Sequence, residues 1–323
     1  MATAREIKNR IRSVKNIAQI TRALEATSAS KVRRAQARVL ASRAYAEKAW
    51  EILVNVQRTA QNGTPLHPLL TPRDEIKTVK LILVTSDRGL AGAYNTNIVR
   101  TSRRFAQRFG KPVEWVTVGR KGRDSIIRLG EDVVAEFPNP DNPTIADISP
   151  ISRLAIDEFL SGEVDEVLIG YTDFINTLTQ APVVRQLLPL TPFETEDTVL
   201  AEMLKDQPPV TPFSGDYEYE PSPAAILDEI VPRFTTLQLY QTVLESQASE
   251  HSARMVAMRN ASDNATALTT DLTLAYNKAR QAAITTEILD IVGGAEALQA
   301  SIEKAADMIE ESLAAAERTA NVY

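Results

Sequence analysis

The sequence predicts an α/β domain set between two very long helices that pair as an antiparallel coiled coil. Three observations predict it. Neither Gly nor Pro occurs in residues 1–62, and after Pro232 neither returns until Gly293. Apolar and small residues recur along the first of these stretches at alternating spacings of four and three. Between the two stretches, strand-like and helix-like patterns alternate.

Uninterrupted stretches of this length correspond to helices of roughly 80 to 90 Å, several times an ordinary globular helix. The first carries the seam Ile7, Ile11, Val14, Ala18, Thr21, Glu25, Ser28, Val32, Ala35, Val39, Ser42, Ala46, Ala49, Leu53 and Val56. A heptad period implies a left-handed coiled coil, and the many Ala, Ser and Thr residues imply close, thin packing. The second runs through Leu237, Leu244, Ala248, Met255, Met258 and Ala265. It then takes up a shifted register at Leu268, Leu272, Ala275, Ala279, Ala282, Thr286 and Leu289, which predicts a stutter. Two helices that each need a partner solve the problem by packing on each other; placement in separate bundles is the alternative.

In the middle, apolar β-branched runs at 79–85, 113–118, 133–137 and 166–171 read as strands. Helical patterns near 96–109, 123–129 and 151–160 fall between them. This is the rhythm of a largely parallel sheet. Proline-rich turns are expected at 138–150 and 208–223.

Composition removes several function classes. With no cysteine there is no disulfide, thiolate metal site or thiol switch within this chain. Only His67 and His251 are present, which argues against a histidine-based zinc or triad site and gives each a structural role. Apolar runs such as 81–84 are far shorter than a membrane helix needs. Glu6 interrupts the basic N-terminus, which reads as mature structure and not as a transit peptide.

The first strand empties into Thr85-Ser86-Asp87-Arg88-Gly89-Leu90-Ala91-Gly92, where nucleotide folds hold phosphate. Neither a Gly-x-Gly-x-x-Gly nor a P-loop pattern is there, and Asp87 would repel an anion, so the segment reads as a tight turn displaying Arg88. Gly119-Arg120-Lys121-Gly122 reads as an ordinary strand-to-helix turn.

Charge is unevenly placed. Residues 1–62 hold thirteen Lys or Arg against four acids, a net of +9, which leaves -15 for the remainder of a chain whose total is -6. A basic rod on an acidic body points to an acidic partner. Read from charge alone, a basic coiled coil that binds nucleic acid, or a scaffold, stays open as an alternative. It lacks the interleaved aromatics that such binding uses.

Several segments resemble a known family. Lys8-Asn9-Arg10-Ile11, Ile20-Thr21-Arg22-Ala23, Ala29-Ser30-Lys31-Val32-Arg33 and Ser86-Asp87-Arg88-Gly89-Leu90-Ala91-Gly92 are similar to the gamma subunit of F-type ATP synthases. So are Ala248-Ser249-Glu250-His251-Ser252-Ala253-Arg254-Met255-Val256-Ala257-Met258 and Tyr276-Asn277-Lys278-Ala279-Arg280-Gln281-Ala282-Ala283-Ile284-Thr285. The resemblance spans roughly residues 1–298.

That resemblance implies a non-catalytic rotor shaft with no cofactor of its own. It couples ion-driven rotation of a membrane ring to conformational change at the catalytic sites of alpha and beta subunits. It implies alpha, beta, epsilon and the c-subunit ring as partners, no nucleic acid, and a peripheral place at the cytoplasmic face of a bacterial membrane. By position, Glu250, Arg254, Arg280, Gln281 and Thr285 resemble shaft residues that engage the surrounding ring, and Arg88 and Ala91 a loop that faces it. The basic rod, including Arg10, Arg12, Arg33 and Arg34, would face acidic loops, and Tyr217, Tyr219 and Glu220 resemble a contact with the c ring. The implied organisation is a shaft helix at 1–62, an α/β foot at 75–231, a second shaft helix at 233–298 and an extension at 299–323. Plant chloroplast relatives carry a cysteine-bearing regulatory insertion, which this chain lacks.

The extension lies beyond the resemblance. Ile302, Ala306, Ile309, Leu313, Ala316 and Ala320 predict an amphipathic helix, acidic by five residues to two. It is expected either to hang as a tail or to act as a latch that restrains hydrolysis.

Overall fold

The computed structural model of the chain describes residues 3–58, 67–190, 220 and 222–320. In order, these form α1 (Ala4–Arg58), a 3-10 turn (Pro68–Leu70), β1 (Val79–Val84), α2 (Tyr94–Phe109), β2 (Val113–Val118), α3 (Arg120–Arg128), β3 (Val133–Phe137), α4 (Ile145–Ser161), β4 (Glu166–Phe174), β5 (Gln180–Leu188) and α5 (Pro223–Ala320). They gather into two units, Arg22–Asn260 and the residues up to Thr21 together with those from Ala261 onward. Among the described residues no helix is long and apolar enough to cross a membrane.

The first unit is built on a five-stranded sheet of order β3-β2-β1-β4-β5. β1 is central and parallel to β2 and β4, with Val79 opposite Val113 and Glu166. Its sequence Val-Lys-Leu-Ile-Leu-Val is buried at every position, as a parallel strand covered on both faces requires. Val79, Leu81 and Leu83 pack with Ile98, Trp115 and Ile126 on the α2 and α3 face. Ile82 and Val84 pack on the other face with Phe159 of α4 and with Leu53, Phe234 and Val243 of the long helices. Lys80 is the exception to the apolar pattern; it is buried and ion-paired with Glu158 and, at 3.0 Å, with Glu114.

Two elements depart from the sequence reading. β5 runs antiparallel on the edge of the sheet beside β4, with Pro182 opposite Thr172. Its proline argues against a strand, but an edge position needs no N–H on its outer side. α4 begins at Ile145, ahead of the expected 151, and encloses Pro150. A capping box in which Thr144 and Asp147 satisfy each other's backbone N–H groups nucleates it, and Gly162 ends it in the left-handed region at φ 80°.

Within this unit α1 and α5 lie antiparallel. Glu25 pairs with Arg259 at 2.8 Å, and twenty-five residues further along α1, Trp50 stacks at 6.1 Å on Phe234, twenty-five residues back along α5. α5 starts at Pro223 and passes through Pro232, the residue after which the sequence places its start. All ten residues from 241 to 250 are buried.

Every seam residue of α1 whose side chain is described, from Ile7 to Val56, is buried or half-buried. In the second unit these are Ile7, Ile11, Val14, Ala18 and Thr21. The predicted stutter in α5 is absent. Leu244, Ala248, His251, Met255, Met258, Ser262, Ala265, Thr269, Leu272, Tyr276 and Ala279 are buried or half-buried in one unbroken four-three register, while Leu268, Ala275 and Leu289 are exposed. Small hydroxyl residues hide this seam from a hydrophobic count. Thr269 donates its hydroxyl to the Ala265 carbonyl at 2.8 Å, as Thr21 does to Ile17 at 3.0 Å, so each hydroxyl is satisfied within its own helix. From residue 281 to 309 every residue is exposed.

Candidate functional site

The chain reverses its direction of winding between β1 and β4, the crevice where open α/β sheets place their functional loops. Two loops gather at the C-terminal ends of the strands there, 85–93 after β1 and 138–143 after β3, and in this unit both are tied to the long helices.

The β1 loop is held from within by its own polar residues. Ser86 donates its backbone N–H to Asn95 Oδ1 at 3.0 Å, and Thr85 Oγ1 accepts from the Gly122 amide at 2.8 Å. Asp87 accepts the backbone N–H groups of Arg120 at 2.9 Å and of Asn139 at 3.3 Å, so its carboxylate is a clamp between loops. Gly119 sits at φ 100° beside the Thr85 carbonyl, where any Cβ would stand 2.3 Å from the oxygen. Gly119 and Gly122 therefore serve a close approach to Thr85.

α5 grips both loops. Arg254 donates to the Gly89 carbonyl at 3.2 Å and pairs with Glu250 at 2.7 Å. Gln247 Nε2 donates to Asn139 Oδ1 at 2.9 Å, and Asn139 Nδ2 donates to the Thr85 carbonyl at 2.7 Å. α1 grips the second loop through Lys31 with Asp141 at 2.9 Å and Arg38 with Asn142 at 2.9 Å. A buried contact of 2.7 Å between Tyr94 and Ser246 adds a further tie to α5.

These ties surround a cavity of about 350 Å³ lined by Lys31, Asp87, Arg88, Asn139, His251 and Arg254 among others. Burial pushes the Glu250 carboxyl up against the pull of Arg254. Burial, helped by the charges of Arg254 and Lys31, lowers His251 to about 4, so its ring is neutral. The Lys31 ammonium holds Asp141 below the usual carboxylate range. What this arrangement does chemically is fasten an α/β domain to a helix pair.

The structure separates the sequence-predicted residues into groups. Glu250 and Arg254 face inward, and Ala91 is buried at 2% exposure. Arg88 is exposed at the loop tip beside Leu90, a non-glycine residue at φ 65°. Arg280, Gln281 and Thr285 are exposed on α5 in the second unit, where the Thr285 hydroxyl donates to the Gln281 carbonyl at 3.0 Å. Arg10, Arg12, Arg33 and Arg34 are exposed on α1, and Glu220 is exposed. Tyr217 and Tyr219 lie outside the described residues. Sequence reading misses Lys31, Gln247 and Asn139, because their partners are more than 100 residues away and Asn139-Pro140 reads only as a turn. His67 has the structural part expected of it: its Nδ1 accepts the Leu69 amide and caps the 3-10 turn.

The family model for ATP synthase matches residues 3–298. A gamma chain of ATP synthase from Dehalococcoides mccartyi is 48% identical over 299 residues, covering 92% of this chain and all of its own length. The chain belongs to the ATP synthase gamma-chain family. The Chloroflexus aurantiacus member is 47% identical over 302 residues, covering 92% of this chain and 99% of its own. Among solved structures, the mitochondrial ATP synthase of Euglena gracilis, in an assembly of OSCP, F1 and c-ring, contains a chain of the same fold. It is 19% identical with a TM-score of 0.59, covering 92% of this chain and 95% of that one. The central stalk and c-ring of the Tetrahymena thermophila enzyme contain another, 24% identical with a TM-score of 0.55, covering 75% of this chain and 99% of that one. None of these relatives supports the nucleic-acid-binding alternative.

Proposed function

We propose that this gamma chain is the central rotor shaft of an ATP synthase and that it carries no catalytic site of its own. The observation that supports this most is the junction in the first unit, where α5 is hydrogen-bonded to both loops at the sheet edge and α1 to the second of them. A shaft has to pass torque from a foot to a coil, and directional polar ties resist the sliding that purely apolar packing permits.

In this reading the α/β domain sits with epsilon on the c-subunit ring, and Tyr217, Tyr219 and Glu220 touch that ring. The helix pair stands inside a head of alpha and beta subunits. Arg88 at the loop tip, Arg280, Gln281 and Thr285 on α5, and the basic side of α1 with Arg10, Arg12, Arg33 and Arg34 meet the head. Glu250, Arg254 and Ala91 support that surface from beneath. Rotation presents different sides of the shaft to each beta subunit and drives its site through successive states, at the cytoplasmic face of the bacterial membrane.

Co-expression with tagged beta and untagged alpha subunits tests this. The chain is expected to co-purify in stoichiometric amount and to rotate when ATP is added, while the isolated chain hydrolyses none. Failure to co-purify, or turnover by the pure chain, would overturn it.

A further inference from the structure

Residues 299–320 continue α5 without a break past the end of the family match, adding about 33 Å of helix. Ile284, Ile288, Ile291, Leu298, Ile302 and Ile309 are all exposed, at 49–67%. At 100° per residue they fall on one stripe, about 110° around the helix from the seam that ends at Ala279. The stripe is thus a second face of α5, and it crosses residue 298 unbroken. Val292, Ala295, Ala305 and Ala306 flank it, which makes it wide, while Glu296, Glu303, Asp307 and five more acids against two bases leave 281–320 at -6.

We infer that residues 299–309 dock as a helix into an apolar groove rimmed by Lys and Arg on a non-rotating subunit of the head, and that docking restrains rotation. Three features choose this occupant. Spacings of three, four and seven between Leu298, Ile302, Ala305 and Ile309 are those of a helix laid in a groove. The acidic flanks call for a basic rim and disfavour a second copy of this chain, which would bring a further -6 alongside. The same stripe continues the family-matched segment that the rotor reading places inside the head, so the surface covering 284–298 extends over 302–309. The inference rests on that reading.

The test compares hydrogen exchange of the peptide 299–309 in the isolated chain and in the assembled head, with ATP hydrolysis measured on the same assembly. Assembly is expected to slow exchange by about tenfold or more. Ile302→Asp with Ile309→Asp, and truncation after Leu298, are expected to leave assembly intact and to raise hydrolysis several-fold, and the double variant to abolish the protection. Exchange as fast in the head as in the free chain overturns docking. Protection with unchanged hydrolysis on truncation overturns the restraint. Concentration-dependent protection in the isolated chain identifies self-association and overturns the assigned occupant. A wild-type chain that does not assemble with the head refutes the rotor reading instead.

Discussion

Arg254 meets Glu250 one turn back along α5 at 2.7 Å, with side-chain exposures of 12% and 10%. Their sequence neighbourhood resembles a surface that engages the ring, yet the guanidinium spends its other N–H groups inside the chain, on the Gly89 carbonyl and against the His251 ring. The pair therefore sets the position of the 85–93 loop, and Arg88 is the member left outside.

Replacing Arg254 by Ala leaves a buried carboxylate without its partner, which costs about 3 kcal/mol. It also frees Gly89. Chemical denaturation is expected to show the loss, and hydrogen exchange is expected to rise in residues 86–92 more than in β1. Equal exchange in the loop before and after the change would rule out the positioning role.

His251 makes stability fall in acid. Its folded value, lowered to about 4, lies below the ordinary 6.5, so the unfolded chain binds the extra proton between those limits. The contribution is fully present above about pH 6.5 and is lost as pH falls toward 4, with a size on the order of 3 kcal/mol. His251→Gln, which cannot take up a proton, is expected to flatten the stability profile across that window. A parallel profile in the variant would assign the acid limb to other groups.

Legibility followed the range of the interaction. The α1 seam was readable because Ile7, Val32 and Leu53 recur locally, and β1 because six residues in a row are buried on both faces. The α5 seam was misread beyond Ala265, where Thr269 and Tyr276 occupy it and Leu268 stands exposed nearby. β5 was missed because edge position, which excuses Pro182, is a property of the assembled sheet. At the site, residue types pointed to the right loop, since Asp87 in place of a phosphate cradle is visible in one dimension. The ties from Lys31 to Asp141 and from Gln247 to Asn139 are not, because no local pattern joins residues about 110 apart.

Gly119→Ala tests the backbone approach at the β2-to-α3 turn. A Cβ there would lie 2.3 Å from the Thr85 carbonyl oxygen at a φ that L-residues avoid. Neither the strand nor the backbone it meets can yield cheaply, so a loss of roughly 3 kcal/mol or more is expected. Gly89→Ala, at a site with open space, is expected to change stability by less than about 1 kcal/mol. Equal effects at the two positions would contradict the packing of this edge.

Arg280 and Gln281 separate shaft stability from partner contact. Both are exposed, and they follow the last seam residue, Ala279, so changing them removes no packing within the chain. Arg280→Ala with Gln281→Ala is expected to leave the melting temperature of the isolated chain within about one degree. In the assembled enzyme these side chains are proposed to meet loops of the head. If that contact is desolvated, the pair of substitutions is expected to lower both ATP hydrolysis and synthesis by about tenfold, equivalent to about 1.4 kcal/mol. A wet contact would give a smaller loss that shrinks further in high salt. Wild-type rates in the double variant would remove Arg280 and Gln281 from the working surface of the shaft, and a lowered melting temperature would show that they act in the coil instead.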